Sequence, residues 1–378
     1  SYGKVKNKLN FYKQTSLPSS VELTSLLKFV YKYTFAIPIL LFPIIYFVGF
    51  AIISKKVNGY IDLKISWIIL CIAMSLDIAS TFLTTQIESF NYIALSNKLK
   101  LLKVFLRSLI LWSLLLLGFN LESIGYSILI SVIFFITLYL LNFKNLLFGV
   151  LKSKIKSSVI WSKDIWPLQW KTALSFFFGA LILYNSSIIA VFYFLGATEA
   201  GKFGISLAII EAIIAVATLL FNVIQPKIAF LINDLNYQQV KKILLTRLTY
   251  AIIITITLGF LFYLCMILTE IYFPKYYLRF LPKEYIYLLI LAGVIRHLVC
   301  AISIFVRAHK SEDLMPAFVV AGLSTIALNI ILIPKYGLLG ASLTFLVVKL
   351  IFHFPLCLFI LRKFLHKNNF NFQKRDFK

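Results

Sequence analysis

Residues 249–268 read TYAIIITITLGFLFYLCMIL, twenty in a row without a Lys, Arg, His, Asp or Glu. At 1.5 Å per residue such a helix spans about 30 Å, the hydrocarbon thickness of a bilayer. A soluble domain of 378 residues could bury one such segment, but the pattern recurs along the chain. Ten segments qualify, here lettered A 34–53, B 65–83, C 104–121, D 124–141, E 172–195, F 203–225, G 249–268, H 286–306, I 315–333 and J 338–361. Hydrophobic residues make up 61% of the chain and charged ones 14%, against roughly half and a quarter in soluble domains. That balance excludes a disordered chain and a soluble enzyme. None of the segments alternates at period two, so barrel strands are excluded as well. The expected fold is all-α, a polytopic membrane protein of about ten helices, since open strand edges cannot sit in lipid.

The formal charge is +24. On a soluble protein that would point to nucleic acid; here the basic residues match cytoplasmic loops facing anionic headgroups. Counted by side, segments 1–33, 84–107, 142–171, 226–248, 307–314 and 362–378 hold 28 Lys and Arg, whereas the opposite loops hold 8. The asymmetry places both termini in the cytoplasm, with the bilayer as partner and no nucleic acid. Cys71, Cys265, Cys300 and Cys357 stand singly in apolar runs and read as small core residues.

The expected organisation is a basic amphipathic segment 1–33, a four-helix bundle 34–141, a basic linker 142–171, a six-helix bundle 172–361 and a basic tail 362–378. The linker carries Trp161, Trp166 and Trp170 among its lysines, the pattern of an interfacial helix. Residues 234–248 read as a surface helix entering G. An internal repeat relates the bundles. Thr34-Phe35-Ala36-Ile37 resembles Thr249-Tyr250-Ala251-Ile252, and Gly125-Tyr126-Ser127 matches Gly340-Ala341-Ser342, both at an offset of 215 residues. A–D and G–J share one order of long and short loops. Equal orientation of the copies implies a pseudo-two-fold along the membrane normal. The second copy has six helices and the first four, so the repeat predicts two further helices ahead of residue 1.

Ionisable residues inside the spans carry the functional reading. Each costs about 2.5–3.5 kcal/mol at the bilayer centre unless it faces a cavity or a partner. Asp77 lies deep in B, Arg296 and His297 in mid-H, Lys349 and His353 at i and i+4 in J, and Glu211 in F. Arg107 and Lys171 lie near the cytoplasmic ends of C and E, where basic side chains commonly snorkel. Arg296, Lys349, His297, Arg107 and Lys171 are the candidate lining of a cationic cavity. Asp77 and Glu211 are candidate counter-ions or coupling sites. The competing account is a structural bridge from Asp77 to Arg296 or Lys349, with His353 a packing residue. Asn185 and Ser186 could add polar lining. Pro38, Pro43, Pro226 and Pro355 mark expected bends. No phosphate-binding loop, nucleophile elbow, zinc motif or acidic metal cluster occurs, and the longest external loop, 269–285, is too short for a catalytic domain. No cofactor and no enzymatic activity are expected.

Leu195-Gly196-Ala197-Thr198-Glu199-Ala200-Gly201-Lys202-Phe203 resembles the LG-x-x-x-x-G-x-Y turn between helices seven and eight of polysaccharide flippases of the multidrug/oligosaccharidyl-lipid/polysaccharide (MOP) transporter superfamily. The run from Asn329 through Leu332-Ile333-Pro334-Lys335-Tyr336-Gly337 to Gly340-Ala341-Ser342 resembles its N-x-x-L-I-P-x-x-G-x-x-G-A junction between helices eleven and twelve. Pro226, after Val223-Ile224-Gln225, resembles the P-x-L end of helix eight. The resemblance implies flipping of an undecaprenyl-diphosphate-linked oligosaccharide, an O-antigen or capsule repeat unit, across the bacterial inner membrane. It implies a polysaccharide polymerase and a chain-length regulator as further partners. Alternatives are a cation-coupled drug exporter of the same superfamily, a lipid II flippase, or a membrane enzyme of polysaccharide assembly. The family has twelve to fourteen helices, so ten is a departure that agrees with the repeat.

Overall fold

The computed structural model describes residues 21–53, 60–89, 92–152 and 165–367. Among these residues there is no strand, and helices account for almost every position. The chain divides into two compact units, Ser1–Asp164 and Ile165–Lys378.

The first unit holds α1 (Val21–Ile53), α2 (Tyr60–Ser89), α3 (Ile93–Leu116) and α4 (Glu122–Lys152). One end of α4 supplies most of its core, with Phe135, Tyr139, Phe143, Leu146 and Val150 packed against Leu27, Tyr31, Leu83, Ile87 and Leu99 from the other three helices. The buried hydroxyls of Tyr31 and Tyr139 lie 2.8 Å apart, and Tyr139 donates to Gln86 Oε1 at 2.8 Å. Buried polar groups are thus paired inside an apolar shell, as low dielectric demands.

The second unit opens with α5 (Trp166–Leu195), which contains a π-helical turn at Phe177–Ile182. It continues with α6 (Ala197–Asn222), α7 (Gln225–Asn233), α8 (Tyr237–Tyr272), the short α9 (Pro274–Tyr277), α10 (Lys283–Ala308), α11 (Met315–Val347), a second π-helical turn at Val348–His353 and α12 (Phe354–Lys367). That second π turn has a visible cause. Pro355 has no N–H to donate and its ring crowds the carbonyl four residues back, at Ile351, so the helix widens just ahead of it. Phe178 sits over Gly322 and Phe318 over Gly179, so α5 and α11 interlock through a reciprocal pair of rings on bare backbone.

Among the described residues, eight helices are long and apolar enough to cross a membrane. One of them, Met315–Lys367, has 53 residues and would reach about 80 Å if straight. It folds back at Gly337, whose φ of 59° and ψ of −134° belong to a region that side chains disfavour. The ring of Phe318 therefore meets that of His353 at 4.9 Å. Segments I and J are the arms of this hairpin, and the break at Gly337 falls between them, in the expected turn. Segment C differs more. Its helix, α3, starts at Ile93 and ends at Leu116, and Lys98, Lys100, Lys103 and Arg107 all lie in its first two-thirds. It is not among the eight.

Other boundaries also move outward. Residues 142–152 extend α4 rather than forming an interfacial helix, and α1 begins thirteen residues before segment A. Trp161, most of the basic segment 1–33 and the end of the tail lie outside the described residues. Helical hydrogen bonding does not stop where the hydrocarbon does, so hydropathy underestimates the length of each helix. Many large apolar side chains remain open on the surface: Leu116 is 87% exposed, Val223 79% and Ile39 73%. Apolar surface on that scale is stable in lipid and not in water. The protein is an all-α polytopic membrane protein.

Candidate functional site

In the second unit, α6 and α10 run in the same direction at very close range, with Ser206 beside Leu281, Ile214 on Gly293 and Phe221 on His297. A Cβ on Gly293 would lie 2.7 Å from Ile214 Cδ1, so the bare glycine lets this side chain pack onto the helix backbone. One turn away on each helix, this contact brings Glu211 to Arg296. Arg296 Nη1 donates to Glu211 Oε2 at 2.5 Å, and each side chain keeps 31% exposure. The guanidinium also stands over the ring of Tyr184 from α5, with 4.4 Å between Cζ and the ring centroid. Tyr184, Asn185, Ile188, Gly204, Leu207, Ala208 and Glu211 line an open recess of about 380 Å³.

Lys349 approaches the same tyrosine from the π turn. Its Nζ is 5.0 Å from the centroid of Tyr184 and 5.2 Å from that of Phe345. The side chain is only 2% exposed, and no described carboxylate lies within ion-pair distance. Among the described residues its amine packs against these two rings, contacts that strengthen for its charged form when water is excluded. Arg296 and Lys349 thus share a ring but differ in access. Arg296 keeps partial exposure and bonds Glu211, a residue of the recess wall, whereas Lys349 is buried.

His297 is fully buried and turns away from Arg296, as the 100° step between neighbours requires. Its Nε2 lies 2.7 Å from Thr255 Oγ1 on α8, and its ring stacks on Phe221 at 6.3 Å. It packs in the core rather than lining the recess. His353 is buried against Phe318. Lys171 is half-buried, with its ammonium 5.8 Å from the ring centre of Trp170, and joins neither cluster. Asn329 Nδ2 donates to Ser187 Oγ at 3.0 Å, so this residue of the Asn329–Ser342 motif ties α11 to α5.

The first unit holds a second charge cluster. Asp77 on α2 accepts from Lys103 Nζ at 2.8 Å and from Arg107 Nη2 at 2.9 Å, both donors lying one turn apart on α3. Ser80 Oγ completes the group, donating to Asp77 Oδ1 at 3.1 Å and receiving Lys103 at 2.9 Å. Arg107 is a bridging partner here, not a solitary anchor. The partners of Asp77 come from α3, and that of Arg296 from α6.

No protein-family model matches this sequence, and no curated protein matches it at a significant level. The chemistry of the clusters therefore has to speak for itself. Each holds one carboxylate and two basic side chains. Among the described residues, no group of three His, Cys, Asp or Glu side chains could hold a metal ion. Cys71 and Cys357 are buried, while Cys265 is exposed on an apolar face and departs from the expected core position. Two participants escaped the sequence reading. Lys103 had been placed in a cytoplasmic loop, although it sits at i−4 from Arg107. Tyr184 is one of twenty tyrosines, and only its neighbour Asn185 stood out as polar.

Proposed function

We propose that this protein is a membrane transporter that flips a lipid-linked oligosaccharide, carried on undecaprenyl diphosphate, from the inner to the outer leaflet of a bacterial cytoplasmic membrane. The observation that carries the reading is the cationic pair Arg296 and Lys349 about Tyr184, balanced by Glu211 alone. A surplus positive charge beside a recess in an apolar helix bundle attracts an anionic group that lipid would reject. The diphosphate of such a substrate supplies that group, its sugars need water, and its polyprenyl tail stays in the bilayer. The inside-negative membrane potential favours moving an anion outward by about 2.3 kcal/mol per charge per 100 mV.

The motif resemblance to MOP polysaccharide flippases supports the same assignment, with both termini in the cytoplasm and the two units moving as lobes. A drug-cation exporter is less well supported. A site for cations needs free carboxylates, and Asp77 and Glu211 are each engaged by basic side chains. In cells that make surface polysaccharide through this protein, Arg296→Ala and Lys349→Ala should each abolish the polymer at unchanged protein level. Normal polymer in both variants would refute the cationic site.

A further inference from the structure

Away from the charged recess, α8, α10 and α12 enclose an apolar groove of about 380 Å³ in the second unit. Leu244, Leu248, Ala301, Phe305, Leu358 and Leu361 form most of its wall. It runs from Val240 beside Leu365 at one end to Leu248 beside Phe354 at the other, about 12 Å along the helices. That length is most of one leaflet's hydrocarbon, about 15 Å. Its bare lining suits a hydrocarbon chain and nothing polar. The mouth is different. Lys241 and Leu245 also line an adjoining recess with Gln238 and Lys242, so an ammonium-bearing polar compartment opens directly onto the apolar slot. Both lysines are exposed, and no described carboxylate pairs with either of them. The end of the helices that bears this mouth also carries Arg362, Lys363 and Lys367 on the last turns of α12.

We propose that this groove is a binding site for one anionic phospholipid, its acyl chain between α8, α10 and α12 and its phosphate at Lys241 and Lys242. The inference needs only the membrane setting and stands apart from the proposed transport activity. Charge complementarity selects the ligand. A zwitterionic headgroup brings no net charge to the lysines, whereas an anionic one gains roughly a kcal/mol per lysine, or about five-fold in affinity for each. Concavity selects one chain over the passing contacts of bulk lipid, because the chain is touched from three helices at once.

Native mass spectrometry of the full chain, released from micelles containing equal phosphatidylglycerol and phosphatidylcholine, tests the site. One phosphatidylglycerol per chain should be retained in preference to phosphatidylcholine. Lys241→Gln with Lys242→Gln should lower that retention roughly ten-fold or more. Ala301→Phe, which fills the slot from its floor, should lower it without changing any charge. The lysine variants alter exposed side chains and leave the packing intact, so their result is readable even if Ala301→Phe fails to fold. Equal retention of both lipids, retention untouched by the lysine changes, or a dimer in place of the bound lipid would each overturn the proposal.

Discussion

Lys349 is a buried amine packed against two aromatic rings, and removing it separates stability from function. Replacing a buried, unpaired charge by an apolar side chain of similar length is often neutral or stabilising. Lys349→Met should therefore keep or raise the thermal unfolding temperature in detergent while transport is lost. A large fall in that temperature would make the lysine a structural residue instead. Asp77 behaves in the opposite way. Asp77→Asn strands Lys103 and Arg107 without a counter-charge. Breaking a fully buried pair costs about 3–5 kcal/mol; with 21% of the Asp77 side chain exposed, about 2–3 kcal/mol is expected. Chemical unfolding monitored by tryptophan fluorescence, to which Trp67, Trp112 and Trp161 of the first unit contribute, would measure it. At this scale the sequence made Asp77, Glu211, Arg296 and Lys349 legible, because an ionisable side chain inside an apolar run announces itself. It did not disclose their partners. Which charge meets which depends on helix crossings, here set by contacts as small as Ile214 on Gly293.

Elements carry the second lesson. The apolar runs marked where helices meet lipid, and all but segment C correspond to helices, or arms of one, among the membrane-length eight. Helix ends were not legible, since basic amphipathic sequence continues the helical hydrogen bonding past the hydrocarbon, as in α1 and α4. Pro355 was legible as a bend; the π turn it produces, and the placement of Lys349 on that turn, were not. The α11 hairpin offers a clean test. A Cβ on Gly340 would stand 2.3 Å from the carbonyl oxygen of Leu332, a backbone atom that cannot move aside. Gly340→Ala should cost about 1–3 kcal/mol through overpacking. Gly201, in α6, has open space where its Cβ would be. Gly201→Ala should be neutral or stabilising by about 0.5–1 kcal/mol. Thermal unfolding of the two variants side by side reads the difference, and equal behaviour would contradict the hairpin geometry.

For the whole molecule, composition and hydropathy already exclude water as the surrounding solvent, and the exposed apolar side chains bear that out. Each unit contains a cluster of one carboxylate with two basic side chains, an arrangement that the ionisable residues inside apolar runs hinted at without disclosing their partners. The proposed role of the Arg296–Lys349 cluster is to recognise a phosphate-bearing lipid headgroup and move it across the bilayer. The direct measurement is a flipping assay in vesicles containing the purified chain and an undecaprenyl-diphosphate-linked oligosaccharide, read by a membrane-impermeant lectin outside. The chain should speed exposure of the sugar above protein-free vesicles, and Arg296→Ala should slow it at least ten-fold, roughly the loss of one charge-assisted contact. A rate in the wild type equal to that of protein-free vesicles, or an Arg296→Ala rate equal to the wild type, would contradict it.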